Sequence, residues 1–326
     1  MNDGGMKILD GASLRSVDVL LPEIDGAITG AQVLEIAEAK ASSSLFGIAL
    51  PEHLKAAALK RINIDPVSFR STELDREQSS SKLKEYVIAI ADELIDDPLV
   101  VSVLDGVILK LFMEDEDDFA MLAEDLFTEL DEEDKGMIRK SEIRNGLVRM
   151  GVEMGVPPFS EFPLLNDFLK ENGAEGDNMV GQAQFAELLH LVLRQLADAL
   201  AEKHVVVIQN IKIINGSKLR KLLADQEQLN NVIEKMFQDQ CASKDGKGST
   251  EKIRAFLQKN GPDLGLPSSE TNEAVILLYD QVFADVDNGR SSIEFGRNEF
   301  GEVVKDILEK FAEHLEGNPI TIDLDS

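Results

Sequence analysis

Three carboxylates in one short stretch of the chain have the residue types and the spacing to bind a hard divalent cation. Asp131, Glu133 and Glu142 hold the first, third and last places of a twelve-residue segment, and Gly136 lies where a sharp turn is needed. Calcium prefers about six to eight oxygen ligands, and a closing glutamate can supply two of them. Lys135 stands where a further oxygen ligand is wanted, so we expect weak binding.

The segment resembles the twelve-residue calcium loop of the EF-hand superfamily, and this resemblance implies a metal site made of Asp131, Glu133, Lys135, Met137 and Glu142. Met137 contributes its main-chain carbonyl, whereas Lys135 brings a positive charge toward the ion. The predicted cofactor is Ca²⁺, and its affinity should lie at or below the weak end of the sensor range of about 10⁻⁷–10⁻⁵ M.

The segment 131–142 is framed by apolar residues at spacings typical of two amphipathic helices facing one core. The same frame occurs four times along the chain. Its loops lie at 131–142, 173–184, 241–252 and 287–299. The loops fall into two pairs, which predicts two helical lobes.

The other three loops have poorer ligand sets. Loop 173–184 lacks the first aspartate and the last carboxylate, although Asn178 can adopt the left-handed turn. Loop 241–252 ends in Lys252, which would repel a cation, so we expect these two loops to brace their neighbours. Loop 287–299 keeps Asp287 and Glu299 at its ends and is a candidate second metal site. It is one residue too long, and a register starting at Asp285 is an alternative.

The first loop, with Asp131, Gly136, Ile138 and Glu142, resembles the calcium loop of the EF-hand superfamily. The likeness covers roughly residues 119–310. It implies an all-α fold of two EF-hand pairs with mostly degenerate loops, in which Ile138 joins a hydrogen bond between paired loops. The acidic composition and the long N-terminal region also resemble plant EF-hand calcium sensors. These bind and inhibit stress-activated protein kinases of the sucrose-non-fermenting-related type, which implies a kinase partner.

Periodicity and breaker residues predict the remaining organisation. The predicted segments are a helical N-terminal region 1–115 with a polar linker at 63–81, a first pair 116–204, a strand-like connector 205–216, a second pair 217–317 and an acidic tail 318–326. The helices predicted in the N-terminal region are 29–41, 51–61, 82–96 and 98–113. Helix 98–113 either packs against helix 82–96 or occupies a lobe as an internal ligand.

The charge balance excludes several partners. The chain has 61 acidic and 33 basic side chains among 326 residues, a formal net charge of −28. Such a charge repels nucleic acid and anionic membranes and favours cations and basic protein surfaces. One cysteine excludes a disulfide framework, and no targeting signal is evident, so we expect a cytoplasmic or nuclear protein.

Two functions fit these observations. The first is a calcium-binding regulatory protein that binds a partner protein. The alternative is a calcium-independent adaptor that keeps the helical scaffold, which the lysines at 135 and 252 favour. We do not expect an enzyme, because the sequence contains no evident pairing of a nucleophile with a base.

Overall fold

The computed structural model describes residues 5–21, 27–241, 249–268, 273–287 and 296–324. Over these residues the α-helices are α1 Gly30–Ser44, α2 Glu52–Arg61, α3 Pro66–Arg70, α4 Arg76–Asp96, α5 Val107–Glu114, α6 Glu116–Leu130, α7 Glu142–Met150, α8 Leu164–Glu171, α9 Gln182–Glu202, α10 Ser217–Ala224, α11 Gln226–Cys241, α12 Thr250–Leu264, α13 Glu273–Asp287 and α14 Arg297–Gly317. The strands are β1 Met6–Leu9, β2 Ile28–Thr29, β3 Glu73–Leu74, β4 Leu99–Leu104, β5 Ile138–Arg139, β6 Met179–Val180, β7 Val205–Ile208, β8 Ile211–Ile214 and β9 Ile320–Asp323. Short 3₁₀ helices span Ala12–Ser16 and Val152–Met154.

The prediction of an all-α fold is wrong, because the strands form four small antiparallel sheets beside the helices. The largest has the order β1-β4-β7, and the others are the pairs β2-β3, β5-β6 and β8-β9. The fold is therefore mostly helical with minor sheets, and it does not show the two predicted EF-hand pairs. Strand β4 lies in the segment predicted as helix 98–113, and it pairs with β7 of the predicted connector 205–216. Strand β8 of the same connector pairs with β9, which lies in the predicted tail 318–326.

The N-terminal region differs from its prediction at two places. The segment predicted as helix 98–113 begins with β4, and only its end is helical, as α5. The β-branched Val100, Val101 and Val103 favour the extended backbone over a helix. The polar segment 63–81, predicted as a linker, contains α3, β3 and the start of α4. Asp75 caps α4 by accepting a hydrogen bond from the Gln78 amide, a signal that marks a helix start.

The described chain divides into two compact units, each discontinuous in sequence. The first unit comprises Met1–Leu9, Ser42–Ala49 and Val100–Gln209. The second comprises Asp10–Ala41, Leu50–Leu99 and Asn210–Ser326. No helix of the described residues is both long and apolar enough to cross a membrane.

Each unit has an apolar core supplied by the predicted helical frames. In the first unit the buried frame residues are Ala123, Leu126, Phe127, Ile143, Leu147, Met150, Leu165, Leu169, Phe185, Leu189 and Val192. In the second unit they are Met236, Ile253, Phe256, Leu257, Tyr279, Val282, Phe283, Phe300, Val303, Val304 and Ile307. The spacing of apolar residues thus identified the faces that the helices bury.

At three places among the described residues, a strand is followed by an aspartate or asparagine, a glycine with positive φ and a helix. Gly11 follows β1, Gly106 follows β4 and Gly216 follows β8, with φ of 76°, 79° and 78°. A side chain at any of these glycines would meet a main-chain oxygen of a long helix, at 2.4, 2.3 and 2.9 Å from an ideal Cβ. Those oxygens belong to Ala91, Ala197 and Ala312 respectively. Both the left-handed backbone and the close approach require glycine, so the three turns share one construction.

Candidate functional site

Two amphipathic helices of the first unit, α6 and α7, position the predicted metal loop. Asp115 caps α6 by accepting hydrogen bonds from the amides of Asp117 and Asp118. Leu126 on α6 and Leu147 on α7 are buried in the same core, which fixes the two ends of the loop. The acidic run at the start of α6 therefore stabilises a helix N-terminus, where negative charge is favourable.

Asp131 forms two side-chain hydrogen bonds with the main chain of its own loop. Its carboxylate accepts a hydrogen bond from the Lys135 amide at 3.0 Å and another from the Gly136 amide at 2.6 Å. Asp134 and Gly136 have φ of 49° and 66°, so the chain turns through two left-handed residues. Aspartate and glycine adopt that conformation more readily than most residues, which explains why this sequence forms the turn.

Hydrogen bonds to the neighbouring loop hold the second half of the segment. Ile138 forms an antiparallel pair with Val180 between β5 and β6. The Lys140 amide donates to the Asn178 carbonyl at 2.9 Å, and the Ser141 amide donates to the Gly176 carbonyl at 3.2 Å. Loop 173–184 thus braces loop 131–142 through its main chain.

The sharp turn of the bracing loop lies at a different residue from the one the sequence indicates. Gly176 has a left-handed φ of 102°, whereas Asn178 is absent from the residues with positive φ. Glycine takes that backbone without a steric penalty. Asn178 is able to adopt a left-handed backbone, but in this loop Gly173 and Gly176 adopt it instead.

All five residues of the predicted metal site line one open cleft of about 810 Å³ beside the loop. They are Asp131, Glu133, Lys135, Met137 and Glu142. The ammonium of Lys135 forms an ion pair with the Glu133 carboxylate. Glu142, the first residue of α7, accepts a hydrogen bond from the Asn145 side chain at 2.6 Å. The carboxylates face one cleft, but each is engaged with a neighbour in the protein.

The fit of this loop to calcium is therefore partial. Its length, its turn at Gly136 and its oxygen-bearing residues suit a hard divalent cation. Yet in the described part of the chain no three His, Cys, Asp or Glu side chains come close enough to hold a metal ion. These carboxylates can bind a calcium ion together only if the ion pair between Lys135 and Glu133 and the hydrogen bond between Asn145 and Glu142 are broken.

The candidate second metal site cannot be assembled from the described residues. Glu299 lies in the first turn of α14, where its carboxylate accepts a hydrogen bond from the Gly296 amide at 3.2 Å. This contact caps the helix. Asp287 ends α13, and residues 288–295, which would complete the loop, lie outside the described residues. Residues 242–248 of the third loop lie outside them as well.

A buried carboxylate that the sequence analysis missed lies in the second unit. Asp96, at the end of α4, accepts hydrogen bonds from Arg61 at 2.7 Å, from Lys221 at 2.5 Å and from the Ser217 hydroxyl at 3.2 Å. Burial alone would raise the pKa of Asp96, but the hydrogen bonds from Lys221 and Arg61 outweigh it and the net pKa is lowered. The arrangement joins α2, α4 and α10, and we interpret it as structural.

No protein-family model, curated protein or solved structure matches this chain.

Proposed function

We propose that the protein is a calcium-responsive regulatory protein whose loop 131–142 takes the ion. The ligands would be the carboxylates of Asp131, Glu133 and Glu142 and the main-chain carbonyl of Met137. The observation that carries the proposal is that these residues border one cleft on a loop with a left-handed turn at Gly136. Bound calcium supplies a double positive charge that draws these oxygens together.

The ion would act on the helix that follows the loop. Glu142 is the first residue of α7, and Ile143 and Leu147 on the same helix are buried in the core of the first unit. Drawing Glu142 from Asn145 toward the ion would shift the start of α7, and the packed core would carry that shift to its neighbours. Local charge changes of this kind operate many calcium switches.

The proposed partner is a protein with a basic surface. The net charge of −28 favours encounter with such a surface and disfavours acidic ones. The acidic composition and the long N-terminal region resemble those of kinase-binding calcium sensors, and on that resemblance we propose a stress-activated protein kinase as the partner, with inhibition as the effect.

A second candidate is a calcium-independent adaptor, and one contact favours it. The ion pair between Lys135 and Glu133 already places a cation beside a predicted ligand. If that pair persists at all calcium concentrations, the loop is a structural brace and partner binding is insensitive to calcium.

Calorimetric titration with calcium separates the two candidates. The matched variants are Glu142→Gln, which removes the closing carboxylate, and Glu153→Gln, which removes an exposed carboxylate outside the cleft. We expect the wild type and Glu153→Gln to release the same heat and Glu142→Gln to lose it. Absence of heat from the wild type at about 1 mM calcium, far above the sensor range, would reject the first candidate.

A further inference from the structure

Part of the lining of the cleft beside loop 131–142 is apolar and exposed. Met137 and Met179, from the two paired loops, are 42% and 47% exposed, and Val148 on α7 is 60% exposed. All three line the cleft. Thioether side chains are flexible and polarisable, so they adapt to an incoming apolar group of varied shape.

Three other Met residues of this unit do not belong to this apolar part of the cleft lining. Met150 is buried in the core, and Met154 packs against that core. Met121 is 61% exposed on α6 but does not line the cleft. The exposed thioethers beside the loop are therefore distinct from those that fill the core.

The lining of the cleft also includes four acidic residues, Asp131, Glu132, Glu133 and Glu142. The cleft also has three cationic side chains, and each of them has a carboxylate partner. Lys135 pairs with Glu133, Arg139 with Asp177 at 3.7 Å and Arg149 with Glu129 at 2.6 Å. In the described residues Glu132 has no such partner, so the cleft offers negative charge to an added cation.

We propose that this cleft docks a basic, amphipathic segment of a partner protein in the calcium-free state. An apolar side chain of the segment lies against Met137, Met179 and Val148. A lysine or arginine of the same segment pairs with Glu132 or Glu142. An acidic segment is repelled by these carboxylates, so charge complementarity selects the occupant.

The docked segment and calcium compete for Glu142. This carboxylate is a predicted metal ligand and also lines the docking cleft. Calcium that draws Glu142 into the loop removes part of the partner's countercharge, so calcium promotes release of the segment. The effect is reciprocal: the segment weakens calcium binding by the same factor. This inference rests on the proposed function, because it assumes that loop 131–142 takes the ion.

The test uses a fluorescent peptide of about 14 residues that contains only leucine and lysine, with the leucines on one helical face. A peptide with glutamate in place of lysine is the charge control. Fluorescence anisotropy is measured in chelator at about 150 mM salt, which screens long-range attraction. The full-length double variant Met137→Ser/Met179→Ser is compared with Met121→Ser/Leu164→Ser, which changes two exposed residues outside the cleft. Circular dichroism establishes that each variant is folded.

We expect the leucine–lysine peptide to bind the wild type and the Met121→Ser/Leu164→Ser variant equally. The Met137→Ser/Met179→Ser variant should bind it about tenfold more weakly, because two apolar contacts are lost. Equal binding to both double variants, or equal binding of the glutamate peptide, would overturn the docking surface.

Calcium is then added to each complex. We expect calcium to weaken peptide binding to the wild type severalfold and to leave Glu142→Gln unaffected. Tighter binding with calcium would overturn the competition. A third outcome is peptide binding that depends on Met137 and Met179 but not on calcium, with no heat in the calcium titration. This outcome would support the docking surface, and it would reject both the proposed function and the competition.

Discussion

Replacement of Gly106 by alanine tests the strand–glycine–helix turns that organise both units. Gly106 has φ of 79°, and an ideal Cβ there would lie 2.3 Å from the Ala197 oxygen. Gly47 has nearly the same φ, 78°, but no atom within 4 Å of its Cβ position. The two glycines therefore share the backbone conformation and differ in the space around it.

The expected cost separates into two parts. An alanine with a left-handed backbone costs about 1–2 kcal/mol at either position. At Gly106 the added methyl group must also displace a helix backbone by roughly 1 Å, and overpacking of this kind costs about 1–3 kcal/mol. We therefore expect the free energy of unfolding to fall by about 2–5 kcal/mol for Gly106→Ala and by about 1–2 kcal/mol for Gly47→Ala. Gly216→Ala should fall between them, since its nearest oxygen lies at 2.9 Å.

Urea unfolding followed by circular dichroism measures these differences as shifts of the transition midpoint. Gly106→Ala should shift the midpoint most, Gly216→Ala less and Gly47→Ala least. Equal shifts for Gly106→Ala and Gly47→Ala would refute the reasoning, because the close approach to Ala197 would then contribute nothing.

Three further predictions concern individual side chains. Asp96→Asn should lower the free energy of unfolding at pH 7 by about 1–3 kcal/mol. The loss is no larger because Lys221 is nearly half exposed, so solvent weakens its ion pair with Asp96. Since folding lowers the pKa of Asp96, its contribution is complete above the ordinary pKa of aspartate and is lost as the pH falls through the lowered value. The gap between wild type and variant in urea unfolding should thus close in acid, and a constant gap would contradict the assignment. Tyr279→Phe should cost about 1 kcal/mol in thermal unfolding, because the buried hydroxyl donates to the Leu257 carbonyl at 3.1 Å; no loss would show that this bond is dispensable. Lys135→Gln should raise calcium affinity about two- to fivefold in calorimetry, because the exposed ion pair between Lys135 and Glu133 no longer has to be broken. Unchanged affinity would show that Lys135 does not compete with the ion.

Local patterns in the sequence predicted much of the helical structure. The range predicted as helix 51–61 appears as α2, and the range 29–41 lies almost wholly within α1. The apolar spacing around the loops identified residues that are buried in the two cores. These features depend on residues within a few helical turns of one another, and the hydrophobic periodicity of the sequence reflects such neighbours directly.

The errors arose where the outcome depends on distant partners. Residues 101–104 of β4 pair with β7, more than a hundred positions later, and that pairing favoured the strand over a helix. The signal was present, since an aspartate or asparagine followed by glycine closes each of the three equivalent strands, at Gly11, Gly106 and Gly216. No local pattern marked the Asp96 cluster, because three separate helices bring its members together.

The candidate site was predicted in part. The sequence indicated the loop, its turn at Gly136 and the conflict at Lys135. In the structure Gly136 has a positive φ, and Lys135 lines one cleft together with the predicted ligands. It could not show that Lys135 pairs with Glu133 or that Glu142 bonds to Asn145. Such contacts depend on side-chain rotamers that residue spacing does not specify.

The number of calcium ions bound per chain, counted by native mass spectrometry, tests the central claim most directly. We predict that the wild-type protein carries one more ion than Glu142→Gln under identical conditions, because that glutamate closes the proposed site. Equal ion counts for the two proteins would contradict the assignment of loop 131–142 as the calcium site.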